Sequence, residues 1–90
     1  MALFDLGLVV ATPGALLALH SAGQCASCVL QRHASGDWGE LDAEDKRANE
    51  AALRDGERLL SKYTTTQGVA LYVITEHDRS HTTICRCDEY

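Results

Sequence analysis

Ninety residues give room for one domain with one core and no second domain to host a separate activity. A hydrophobic share of 46% and a charged share of 23% make a folded chain, not a disordered one, the expectation. A formal net charge of −5 argues against the simplest nucleic-acid-binding surface, because the eight Lys and Arg are scattered and form no basic patch.

The apolar run from Leu6 to Leu19 contains Pro13, and Asp5 and His20 border it, so it falls short of the roughly 18–20 residues that span a bilayer. It lacks the basic start of a signal peptide and carries Asp5 in that place. A cytoplasmic protein with no membrane partner is the expectation.

In chain order the elements read as one strand, three helices and three strands. Leu6 to Ala11, with paired valines, predicts a short buried strand. Thr12-Pro13 starts a helix: threonine accepts from an early amide, and proline at the first helical position has no amide to leave unpaired. Leu16, Leu17 and Leu19 give that helix its apolar side, and Gly23 ends it. Gln24 to His33 predicts a second short helix burying Val29 and Leu30. Ser35 to Gly39 breaks either regular period and forms a loop, with Trp38 folded back into the core.

Asp42 caps a third helix with Ala48, Ala51, Ala52 and Leu53 on one side, and Gly56 ends it. The charges along it, Lys46, Arg47, Arg54 and Arg58 among Asp42, Glu44, Asp45, Glu50, Asp55 and Glu57, read as a solvated face. Leu59 to Thr65 and Val69 to Glu76 flank a Gln67-Gly68 turn, and His77 to Ser80 leads into His81 to Cys87. In regular pairing Tyr72, Ile74, Glu76, His81, Thr83, Cys85 and Cys87 share one face, Leu71, Val73, Thr75, Thr82 and Ile84 the other, and Tyr63 opposes Tyr72. The expected fold is α+β, a single domain over 1–90, with the N-terminal strand and three helices packed on a three-stranded antiparallel meander.

Two constellations carry chemistry. Cys25, Cys28, Cys85 and Cys87 form two close pairs that can make a structural zinc site, with His33, His77 or His81 able to replace one thiolate. The second pair is the weaker half, since Cα atoms two apart on a straight strand are roughly 6.6 Å apart. Cysteines packed as small hydrophobes, and a redox C-x-x-C at a helix start, are the competing readings. The second constellation is polar. Glu76 and His81, opposed across the last hairpin, suit the base and acid of a nuclease, with Arg79 and Arg58 as phosphate clamps. Ordinary turn chemistry and cross-strand pairing explain the same residues, as a salt bridge pinning the Trp38 loop explains Arg32, His33 and Asp37.

Thr12-Pro13-Gly14-Ala15-Leu16, Arg32-His33-x-x-Gly36-Asp37-Trp38-Gly39, Leu60-Ser61-x-Tyr63 and Ile74-Thr75-Glu76-x-Asp78-Arg79-x-x-Thr82-Thr83 resemble a family of small bacterial plasmid- and phage-associated proteins. The resemblance covers nearly the whole chain and implies a bacterial or mobile-element origin without implying an activity. The chain departs from the family pattern at its cysteines: members carry a Pro- or Leu-containing stretch before the second helix and end Leu-Pro-Glu-Glu-Tyr. Cysteines in both places lead to the expectation that these two regions meet in space. The functional expectation is a small acidic regulator or inhibitor that binds another protein. The alternatives are an endoribonuclease of the RelE and barnase kind, by element order alone, and a zinc-stabilised binding domain.

Overall fold

The computed structural model describes residues 2–90. Among these, the chain forms β1 (Leu8–Ala11), α1 (Pro13–Ser21), α2 (Ala26–Ala34), α3 (Ala43–Asp55), β2 (Leu59–Thr64), β3 (Ala70–Thr75) and β4 (His81–Arg86), closed by a 3₁₀ turn at Cys87–Glu89. The expected caps are in place. Thr12 Oγ1 accepts from the Ala15 amide at 3.1 Å, with Pro13 opening α1, and Asp42 Oδ1 accepts from the Asp45 amide at 2.8 Å. Gly56 ends α3 in the left-handed conformation at φ 69°. Each side-chain cap satisfies an amide the helix cannot, worth about 1 kcal/mol.

The α+β class is as expected, but the sheet is not a three-stranded antiparallel meander. It has four strands in the order β1-β4-β3-β2, and β1 lies parallel to β4. β2, β3 and β4 run antiparallel in sequence. A parallel neighbour needs a long crossover, and here everything from α1 to β3 supplies it. β1 was expected to be buried, yet Leu8 is 69%, Val9 40% and Val10 42% exposed. Its apolar pattern is that of a central strand, while its position is the margin of the sheet.

The helices pack on one face. Ala15, Ala18 and Leu19 of α1 and Val29 of α2 meet Tyr63, Leu71, Val73 and Ile84 in the main cluster, while Trp38, Ala52 and Leu59 form a second. The β3–β4 register matches the expected faces, with Tyr72 opposite Cys85 and Val73 opposite Ile84. The β2–β3 register is shifted by one residue: Tyr63 pairs with Leu71, and Lys62 pairs with Tyr72. The connection is a three-residue loop, Thr66 to Gly68, closed by the Thr65 amide on Val69 O (2.9 Å) and the Gly68 amide on Thr65 O (2.9 Å). That single step separates the two tyrosines: Tyr63 is buried beneath the helices, and Tyr72 stacks edge-on against Tyr90 on the opposite face. On α3 the buried positions are Asn49 and Ala52, and Ala48 faces outward.

Candidate functional site

The Arg32–Trp38 motif is built into the fold. Arg32 Nε donates to Asp37 Oδ2 at 2.7 Å, the guanidinium lies 4.5 Å from the Tyr63 ring centre, and Asp37 Oδ1 accepts from the Gly39 amide. Trp38 is buried and donates through its indole N–H to Glu50 Oε2 at 2.7 Å. The Arg32–Asp37 pair is half-exposed, so its main effect is to shape the loop.

His33 turns away from Arg32 into the core. It is wholly buried, with Nδ1 2.5 Å from Ser61 Oγ and Nε2 2.9 Å from Thr75 Oγ1. Thr75 Oγ1 continues to Thr82 Oγ1 at 2.7 Å, which donates to Leu6 O at 2.7 Å. Burial, reinforced by the charge of Arg79, lowers the imidazole pKa to about 4, so the ring is neutral at pH 7. Because Thr82 donates to Leu6 O it accepts from Thr75, which in turn accepts from His33 Nε2–H, leaving Nδ1 to accept from the Ser61 hydroxyl. With no carboxylate in the row and Ser61 fully buried, this polar row joins α2 to three strands and is no nucleophile site.

The hairpin residues are brought together only in part. Glu76 and His81 do face each other, the Glu76 amide donating to His81 O at 3.1 Å. Arg58 sits 3.9 Å from Glu76 and donates to the Tyr90 hydroxyl. Arg79 is committed elsewhere. At φ 60° it turns its guanidinium onto the carbonyls of Glu57 (2.6 Å), Glu76 (3.2 Å) and Ala52 (3.3 Å), latching the turn to the end of α3. Ser80, through its hydroxyl first and then its amide on Asp78 Oδ1, holds the Asp78 carboxyl below the usual range, and the amide bond fixes the turn. The expected phosphate clamp is therefore a structural latch, because three backbone carbonyls at a helix end and a turn are its acceptors.

The cysteines do not converge. Cys25 and Cys28 lie exposed at the start of α2, on the helix side of the sheet, while Cys85 sits on β4 with its side chain on the opposite face. Among the described residues no group of three or more His, Cys, Asp and Glu side chains is gathered to hold an ion. The sheet itself separates the two pairs, contrary to the expectation that they meet. Cys25 and Cys28 are a close pair on their own, with sulfurs 3.0 Å apart and Ser27 Oγ 3.2 Å from Cys25 Sγ. Those two bonds, Ser27 first, lower the Cys25 thiol pKa to about 7, and the same contact raises Cys28. Burial raises both Cys85 and Cys87.

The two edges of the sheet differ. On β2 the outward backbone groups are occupied. Asn49 bonds both groups of Leu60 (2.5 and 3.1 Å), Trp38 O and the Glu40 amide take Lys62, and the Glu40 carboxylate takes the Thr64 amide. On β1 the Leu8 and Thr12 amides donate to Ser80 O and Ile84 O, both at 3.0 Å. In a parallel ladder that alternation aims the N–H and C=O of Val9 and Ala11 away from β4. No hydrogen bond meets them among the described residues. The helix that follows this strand, α1, exposes Leu16 and Leu17, at 50% and 65%. The sequence signal for this surface was present in the twin valines and in Leu16-Leu17, but burial was the natural reading of it.

Comparison with protein-family models, with curated proteins and with solved structures yields no match for this chain.

Proposed function

We propose that this chain is a small interaction module that binds another protein by accepting an extended segment onto the free edge of β1. The observation that carries this reading is the asymmetry of the sheet: every outward group of β2 named above has an internal partner, and among the described residues those of Val9 and Ala11 on β1 have none. Exposed edges are ordinarily blunted by charge, proline or a bulge, and Leu8-Val9-Val10-Ala11 carries none of these. Strand addition draws affinity from main-chain bonds and specificity from alternate side chains. Val9 lies toward the helix side with Leu16 and Leu17 nearby in sequence, and Leu8 and Val10 face the other way.

Charge selects the occupant. Asp5 precedes the strand, and Glu89, bonded to Thr12 Oγ1 at 2.8 Å, follows it. Two copies paired antiparallel bring the Asp5 end of one to the Glu89 end of the other, setting carboxylate against carboxylate. An apolar partner strand with basic ends matches both, and the net charge of −5 favours its approach. Small size and an acidic balance fit a regulatory or inhibitory role. The nuclease alternative loses support with Arg79 engaged on backbone carbonyls.

The test uses a peptide of alternating Val and Thr with Lys at both ends. Amide exchange at Val9 and Ala11 slows when it is added, and Val9→Pro, which removes an outward N–H and no bond to β4, abolishes the slowing at Ala11 while leaving thermal unfolding nearly unchanged. Unaltered exchange at Val9 and Ala11 in saturating peptide, or equal binding by Val9→Pro, refutes the edge as the docking surface.

A further inference from the structure

Cys25 stands at the N-cap of α2 with extended backbone (φ −112°, ψ 149°), and Cys28 returns to it one turn later through its amide on Cys25 O at 3.2 Å. The approach to Cys25 is anchored. Gln24 Oε1 accepts from the Thr66 amide (3.0 Å), Thr66 Oγ1 donates to Ala22 O (3.2 Å), and Gln67 Nε2 donates to Ser21 O (2.7 Å). Both thiols are exposed, and Cys28 borders an open cleft of about 610 Å³ formed with Gln31, Arg32, Ala34 and Ser35.

We propose that Cys25 and Cys28 are a reversible dithiol–disulfide pair that exchanges with low-molecular-weight organic disulfides. Three observations support it: the 3.0 Å sulfur contact, which needs a closure of only about 1 Å to reach bonding distance, the exposure of both sulfurs, and the helix start beneath them. The chemistry is balanced within the pair and its co-reactant. The Cys25 thiolate attacks one sulfur of R–S–S–R, that S–S bond breaks, and the first RS⁻ leaves and takes a proton from solvent. The Cys28 thiol gives its proton to solvent and attacks the Cys25 sulfur of the mixed disulfide, releasing the second RS⁻. Two electrons pass from the cysteine pair to the organic disulfide, leaving a Cys25–Cys28 bond and two free thiols. The lowered thiol pKa of Cys25 and the raised one of Cys28 suit attacker and resolver in that order. Cys85 and Cys87 lie on the other side of the molecule and take no part.

The experiment equilibrates the folded chain in buffers of oxidised and reduced glutathione, quenches with an alkylating agent, and reads intact mass and peptide maps. The wild type loses two hydrogens, with the new bond mapped to Cys25–Cys28. Cys28→Ser stops at a glutathione adduct on Cys25, at a level about tenfold above that in wild type. A Cys85→Ser/Cys87→Ser double variant behaves as wild type. Four alkylatable thiols persisting in excess oxidised glutathione, or adducts on Cys25 that wild-type Cys28 fails to release, overturns the proposal. The wild-type measurement needs no variant to fold.

Discussion

His33 was legible in the sequence only as a neighbour of Arg32 and Asp37 in a polar motif, and adjacency proved a poor guide to its partners. Successive helical residues diverge by about 100°, so Arg32 reaches the loop carboxylate while His33 enters the core. The burial that lowers its pKa to about 4 makes stability depend on pH. As pH falls below about 6.5 the unfolded chain takes up the proton and the folded chain does not, so stability declines until about pH 4. The full span is worth about 3 kcal/mol, and urea midpoints measured from pH 7 to pH 4 will show it. In His33→Gln that slope is largely flattened. Gly39 is a second residue whose reason lies off the local sequence. At φ 73° it passes against the Lys62 carbonyl and the Tyr63 ring, where a Cβ has no space. Gly39→Ala is expected to cost about 2–3 kcal/mol in chemical denaturation, combining backbone strain with the clash.

Element ends were the most readable features, because Thr12, Asp42 and Gly56 act through bonds within a few residues of themselves. Strand position was less readable, since an apolar run does not say whether one neighbour or two will flank it. The β2–β3 register turned on a loop of three residues where a two-residue turn was expected, and one step moved Tyr63 under the helices. Asn49 carries the clearest element-scale consequence. From a helix it supplies the bonds a fifth strand would give Leu60. Asn49→Ala leaves that amide and carbonyl unpaired and is expected to cost about 1–3 kcal/mol, with faster hydrogen exchange at Leu60 as the local signature.

At the scale of the molecule, α+β architecture followed from element order, whereas the mixed sheet did not, because nothing local announces a pairing between Leu8 and His81. The placement of the two cysteine pairs was hidden for a related reason: two close pairs in a sequence are silent about which face of a sheet each will occupy. The same long-range pairing has a consequence for the birth of the protein. On a ribosome, Leu8 is made about 73 residues before His81, an interval of roughly 4–15 s at about 5–20 residues per second. Throughout that time the Leu-Val-Val-Ala segment has neither of its edges paired. The nascent chain thus passes through a stage in which the surface later offered to a partner is at its stickiest, and chaperones that shield apolar nascent segments would meet β1 before β4 does.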